Sequence, residues 1–282
     1  MTSVSPIPEE EADQALVARL AEVWASMAEV GSGLSEAQWK MPTEVPGWSV
    51  QDNLVHITAL EAMILGRPDV DHSVPDGLEH VKNDIGRRNE VFVDSRRSQS
   101  GIEALTEFCE VTDARLAELH GYGPDDFGRA SWTPTGDGTV RDLLPFRIFD
   151  SWVHEQDMRR AVGIPGDLDT PVAAAGLERI VGALPFIVGK RAGTPDGATV
   201  VFELDGPLAR KIAIGLEGGR AKLLDAEPAT DVTTRIATDT ETLARLGCGR
   251  IDPTAALDDG RVRLAGDEAL GRRVVEELNF LF

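Results

Sequence analysis

The sequence predicts two domains, an α-helical four-helix bundle followed by a smaller α+β domain on a mostly antiparallel sheet. Three observations carry this. Up to about residue 165, apolar side chains recur at three- and four-residue steps, the period of amphipathic helices. Beyond Pro171 the chain turns into short β-rich stretches separated by glycines and turn residues. Between the two, "VGIPGDLDTP" has the composition of a linker, which sets the domains at residues 1–166 and 171–282.

The elements follow in order. In "ALVARLAEVWASMAEV", Leu16, Leu20, Val23, Met27 and Val30 mark one face of a first helix. "PGWSVQDNLVHITALEAMIL" opens a second, with Ser49 as its cap and Asp52 three residues on completing a capping-box-like pair. It is expected to run to about Leu65 and stop at Gly66-Arg67-Pro68. A third helix covers part of Asp84 to Asp94 or starts earlier, and a fourth follows Ser100 in "GIEALTEFCEVTDARLAELHG" and stops at Gly121. The last begins at Thr139, with Asp142 three residues on, and continues to Ala161 before Gly163 and Pro165. Pro145 is expected to kink or delay its first turn. Helices of this length with connecting loops suggest an up-and-down bundle. In the second half, "GATVVFELDG", "RKIAIGLEGG", "RAKLLD" and "DVTTRIATD" read as strands. Helices "TETLARLG" and "DEALGRRVVEELNFL" follow, with a strand in "GRVRLAG" between them, which gives an α+β domain.

The 282 residues are 42% hydrophobic and 27% charged, the balance of a soluble globular protein. A formal net charge of -20 repels phosphate backbones and anionic lipid, which excludes nucleic acid and membrane surfaces as expected partners. Small molecules are the expected partners, of a monomer or homodimer. Two cysteines far apart, Cys109 and Cys248, make neither a disulfide framework nor a thiolate metal site. Cys109, beside Leu105, Phe108 and Leu116 at helical spacing, reads as a core residue. The N-terminal "MTSVSPIPEEEADQ" lacks the basic and apolar regions of a secretory signal. No apolar run is read as approaching the ~20 residues that span a bilayer. The expected location is a reducing cytoplasm.

One stretch carries chemistry. "FDSWVHEQDMRRAVGIPG" holds His154-Glu155, the first half of the H-E-x-x-H zinc helix, but Met158 stands where the second histidine belongs. A thioether does not replace imidazole on a catalytic zinc, so the protease reading fails. A different ligand set is available. Asp150 and His154, four residues apart, project from one helix face, and Asp157 lies three residues beyond on the same side. In a bundle the third ligand comes from a facing helix, and His56 in "DNLVHITAL" is the candidate. Two histidines and a carboxylate leave an open coordination position, the pattern of catalytic zinc or a related divalent metal. Asp157 or Asp52 would orient a histidine from behind. Plainer readings stand beside these. A lone histidine is more often a surface or hydrogen-bonded core residue, and Asp150/His154 also fits a solvated i,i+4 pair. With Phe149, Trp152 and Val153 making this helix apolar elsewhere, a wet face is expected somewhere on it.

"VPGWSVQDNLVHI" resembles the Pro-Gly-Trp signature of the mycothiol-dependent maleylpyruvate isomerase family, within the DinB-like superfamily. "FRIFDSWVHEQDMRRAVG" is similar to that family's second signature, an arginine, an acidic residue, and a histidine four further on followed by x-x-Asp. "TETLARLGCGRIDPTAALDDGRVRLAGDEALGRRVVEEL" resembles the tail of sterol-carrier domains. The resemblance spans nearly the whole chain and implies a DinB-like bundle, then a sterol-carrier-like domain. It places the metal triad on His56, Asp150 and His154, with Asp150 standing where glutamate is commoner. It implies an actinobacterial low-molecular-weight thiol, mycothiol, as cofactor. Thiol coordination to a cation favours the thiolate. Addition of that thiolate to an electrophilic double bond, rotation and departure is a cis–trans isomerisation, and the same first step with another electrophile is an S-transfer. Arg147 and Arg250 are the candidates for holding a substrate carboxylate, because guanidinium pairs bidentately with it. Arg147 is equally an i−3 salt-bridge partner of Asp150, and Trp48 reads as a packing anchor.

Two other classes remain at the level of sequence. One is a binding module whose second domain takes an apolar ligand or a partner while the bundle metal is structural. The other is a hydrolase in which the same triad activates water. Glu155 argues against the hydrolase, since it points about 100° around the helix from His154.

Overall fold

The computed structural model of the chain describes residues 9–281 apart from 69 and 229. Its bundle helices begin where the sequence supplies caps. In order come α1 (Glu9–Ser32), α2 (Glu36–Trp39), α3 (Val50–Ile64), α4 (Asp84–Asp94), α5 (Gly101–His120) and α6 (Pro124–Phe127). A hairpin of β1 (Ala130–Thr133) and β2 (Gly136–Thr139) leads into α7 (Val140–Val162). Ser49, Ser100 and Thr139 cap α3, α5 and α7, each in a reciprocal pair with an acid three residues on. Because Thr139 holds the first turn, α7 starts ahead of Pro145 rather than being delayed by it. It stops at Gly163, whose φ of 72° is the left-handed cap geometry.

α1 packs on α5 and α7, and α3 packs on the same two helices. Consecutive long helices α1 and α3, and likewise α5 and α7, therefore sit on diagonals, which corrects the simple up-and-down order. The connections that cross the diagonals carry structure of their own: α2 in the first, α6 and the β-hairpin in the second. Trp24, Leu54, Ile57, Phe108, Ile148 and Met158 are among the side chains that close the core. Cys109 is half-buried rather than a core residue.

A second compact unit begins at Asp167. Its first element, α8 (Pro171–Phe186), continues as a π-helical turn to Arg191. The sequence reading did not include this helix. Thr170 caps it with Pro171 at its first position, a combination that reads equally as the end of a linker. Pro171–Arg191 is also long and apolar enough, by length and composition, to cross a membrane, with a mean hydropathy of 1.6 over its window. That corrects the reading that no such run exists. Half of that window is buried within the unit, where Ala173, Leu177, Ile180 and Leu184 turn inward. The first eight residues of the segment read for a leader lie outside the described residues.

The sheet contains β3 (Thr199–Asp205), β4 (Arg210–Glu217), β5 (Arg220–Leu223), β6 (Thr234–Asp239) and β7 (Arg263–Gly266). Its order is β5-β4-β3-β6-β7, antiparallel except for the central β3–β6 pair. Helices α9 (Thr240–Gly247), α10 (Pro253–Asp258) and α11 (Glu268–Glu276) complete the unit. Along β3 and β4 both faces are buried, with Val200, Val201, Phe202, Ile212, Ala213 and Ile214 all in the core.

Candidate metal centre

Helices α3 and α7 lie against each other in the bundle, and each brings polar groups into the contact. His56, on α3, is 5% exposed; His154, on α7, is 6% exposed. With Asp150 they form the one group of three candidate ligands found among the described residues, their donor atoms all within 4.8 Å of one another. His56 Nε2 is 3.3 Å from Asp150 Oδ2, and His154 Nε2 is 3.6 Å from Asp150 Oδ1. Tetrahedral zinc with bonds of about 2.0–2.2 Å spaces its ligand atoms about 3.3–3.6 Å apart. Each histidine thus lies at such a spacing from one Asp150 oxygen, His56 from Oδ2 and His154 from Oδ1, and with one atom from each residue the three donors fall within 4.8 Å.

The network behind His154 fixes which of its nitrogens is available. Asn53 Nδ2 donates to Ser49 O at 2.8 Å and to Thr43 Oγ1 at 3.1 Å. Its Oδ1 therefore faces His154 Nδ1, 2.6 Å away, and can only accept. A neutral His154 therefore carries its proton on Nδ1 and leaves Nε2 bare toward Asp150 and His56. That is the tautomer a metal needs, set by the outer hydrogen bond. Asp157 Oδ2 adds a contact at 3.4 Å, while its Oδ1 takes Arg160 Nη2 at 2.5 Å. Asp52 does not share this role. Its carboxylate accepts from Ser49 N at 2.8 Å and lies 3.5 Å from Arg97 Nε.

Arg147, 6% exposed, is committed to carboxylates on two helices. Its Nε donates to Glu61 Oε1 at 2.6 Å and its Nη1 to Asp150 Oδ2 at 2.7 Å. Nη2 is buried with no hydrogen-bond partner among the described residues. Arg115 lies 3.5 Å from the other oxygen of Glu61. These neighbours shape the ionisation. Burial pushes the Asp150 carboxyl up, but His56, which is charged at the low pH where that carboxyl titrates, and Arg147 outweigh that and hold it well below the usual range. Burial pushes the His56 imidazole down, more than Asp150 raises it, so the ring favours the neutral form that binds metal.

The solvated face expected somewhere on α7 does not lie between Ser151 and Arg159. From Ser151 to Arg159 every residue is buried, the polar ones included. Those polar groups have partners across the bundle: Trp24 Nε1 donates to Ser151 Oγ at 3.0 Å, and Ser26 donates to Glu155 while accepting from Arg159 Nη2. Asp150, the triad residue with the most exposed side chain, at 30%, opens the cluster toward solvent. Trp48, read as a packing anchor, packs on the ligands themselves, its ring centroid 5.1 Å from His56 and 5.8 Å from His154. Asn53 was missed. Its signal was available, since an asparagine inside an apolar helix three residues before a histidine runs against helix preference. Arg250 belongs to the second unit, where its Nη1 donates to Cys248 O at 2.8 Å.

A helical bundle with a His–carboxylate–His set across two facing helices, followed by an α+β unit, defines a class of two-domain protein. Residues 20–159 match the model of the mycothiol maleylpyruvate isomerase N-terminal domain, and residues 190–278 that of the SCP-2 sterol transfer family. The bundle thus matches the first domain and the α+β unit the second. A solved mycothiol-dependent maleylpyruvate isomerase superposes with a TM-score of 0.54 at 15% identity, over 89% of this chain and 93% of its own. A histidine-to-alanine mutant of that enzyme superposes with a TM-score of 0.51 at 16% identity, over the same shares. At such identities the likeness is one of fold. No curated protein matches the chain.

Proposed function

We propose that the protein is a divalent-metal enzyme, with zinc the ion its donors suit best, that uses mycothiol to act on a small electrophilic substrate as an isomerase or S-transferase. The observation that carries this is the convergence of His56, Asp150 and His154, with the His154 tautomer set by Asn53. The match of the bundle to the mycothiol maleylpyruvate isomerase N-terminal domain supports the choice of thiol. A divalent cation in this site supplies the charge that lowers the pKa of a coordinated thiol from about 8.5 toward neutrality.

The chain's own residues have separable tasks in this reading. His56 and His154 hold the cation through Nε2, and Asp150 offsets part of its charge. Arg147 steadies Asp150 and keeps Nη2 as a donor for a substrate carboxylate. Arg250 is assigned to a carboxylate as well. Trp48 shields one side of the imidazoles from water. Glu155, tied to Ser26 and Arg159, is not placed to act as a base on water, so the hydrolase gains no support.

Elemental analysis of untagged protein tests the metal, and incubation with mycothiol and an electrophile panel that includes maleylpyruvate tests the reaction. About one divalent ion per chain is expected, falling sharply in His56→Ala and His154→Ala. Product isomers or thiol consumption should require both metal and mycothiol. Full occupancy after loss of both histidines would refute the ligand set. Metal-dependent turnover indifferent to thiol would refute the cofactor.

A further inference from the structure

Glu90, on α4, is 1% exposed and reaches the metal centre through one intermediary. Its Oε2 accepts from Trp48 Nε1 at 3.0 Å. The indole in turn packs on both imidazoles, whose own centroids are 4.8 Å apart. The three rings form one cluster, and the rotation of an imidazole about its outer torsion is soft unless packing or a hydrogen bond stops it. Asn53 stops His154 at one nitrogen; the indole bears on both rings. Holding the indole therefore helps to hold both Nε2 atoms at their common point.

Glu90 is held in its turn. Arg97 Nη1 lies 2.7 Å from Oε1, and His80 Nε2 lies 3.0 Å from Oε2. Arg97 Nη2 also donates to Gly47 O at 3.2 Å. Gly47 has a φ of 80°, and a Cβ there would stand 2.6 Å from His80 Nδ1, so the His80 ring occupies the space a side chain would need. His80 comes from the segment between α3 and α4, which the His72–Asp94 pair at 2.7 Å and Arg87 on Asp76 at 2.9 Å also tie to α4. A charged residue is buried here where an apolar one would pack at lower cost. Its three partners converge on the turn that carries Trp48.

We propose that Glu90 is a positioning residue for the His56–Asp150–His154 centre: it fixes the Trp48 indole against both imidazoles and couples the segment before α4 to them. The proposal rests on the metal reading above, and its test separates the two. Cobalt(II) titration reads affinity and, by its visible absorption, ligand geometry. Glu90→Leu and Trp48→Phe should weaken cobalt binding by about tenfold or more and change the spectrum, the scale expected for groups behind a ligand. Glu90→Gln keeps an acceptor for the indole and should stay within about threefold of wild type. Val111→Ala, a fully buried truncation on α5, controls for general destabilisation and should bind normally. In the metal-free proteins, imidazole ¹⁵N shifts of His56 and His154 should move in Glu90→Leu and stay put in Glu90→Gln. Folded Glu90→Leu with wild-type affinity, spectrum and ¹⁵N shifts would overturn the proposal, as would an equal loss in Val111→Ala. Wild-type protein that takes up no cobalt would instead overturn the metal reading, and the ¹⁵N shifts would still decide the role of Glu90.

Discussion

At Asp150, His56 Nε2 and Arg147 Nη1 both approach Oδ2, at 3.3 and 2.7 Å, while Oδ1 faces His154. The arginine removes part of the carboxylate's freedom to turn, so the shorter side chain is held with one oxygen toward each histidine. Asp150→Asn should lower metal affinity more than any change behind the ligands, because it removes the charge as well as a donor. Asn53→Leu is the finer test. It leaves His154 in place but releases the constraint on its tautomer, and about a 10- to 100-fold loss of zinc affinity is expected in competition with a chromophoric chelator. Unchanged affinity in Asn53→Leu would mean that Asp157 alone fixes the ring.

Among the elements, α3 and α7 carry the candidate ligands and depend on their caps. Ser49 Oγ accepts from Asp52 N at 3.2 Å, one turn before His56. Ser49→Ala should cost about 1 kcal/mol in urea unfolding of the bundle. A loss within error would show that the return bond from Asp52 to Ser49 N suffices by itself. A stronger effect belongs to α5, whose first residue lies against Trp39. A Cβ at Gly101 would stand 1.9 Å from Trp39 Cδ1, and Trp39 is 2% exposed. Gly101→Ala should destabilise the bundle by about 1–3 kcal/mol, the cost of overpacking a tight contact. Unfolding at the wild-type urea midpoint would show that the indole moves aside freely.

On the scale of the whole molecule, acid should act on the bundle through the same centre. His56 has a native pKa below its unfolded 6.5, so the unfolded chain binds more protons just below that pH and stability falls as pH drops through it. Asp150 lies below its unfolded 3.8 in the native state, so its contribution is complete above that pH and is lost as pH falls further. The two effects have the same sign in successive windows. In chelator-treated protein the urea midpoint should decline below pH 6.5 and again below pH 4, and His56→Gln should remove the first decline. A midpoint that is flat between pH 7.5 and 5 in wild type would contradict the assignment to His56. Metal retention should fail in the upper window too, since proton and cation compete for the imidazoles.

The sequence by itself determined the two-part architecture and brought out the candidate triad, and for local reasons. Caps, helical periods and strand alternation are written over short windows, so α3, α4, α5, α7 and β3 to β7 were legible. Asp150 and His154 were legible as a pair because four residues is one helical turn. Helix α8 escaped because its apolar composition and starting proline fit linker, core or membrane alike, and only packing against its own unit separates them. The β1–β2 hairpin escaped because four-residue strands such as "GDGT" carry no period long enough to read. Tertiary structure alone decided which face of α7 was dry, since buried Ser151, Glu155 and Arg159 find their partners in residues more than a hundred positions away. It also decided the His154 tautomer and brought Glu90 within one indole of the imidazoles. A proton's position depends on what lies across the contact, and sequence spacing says nothing of a partner on another helix.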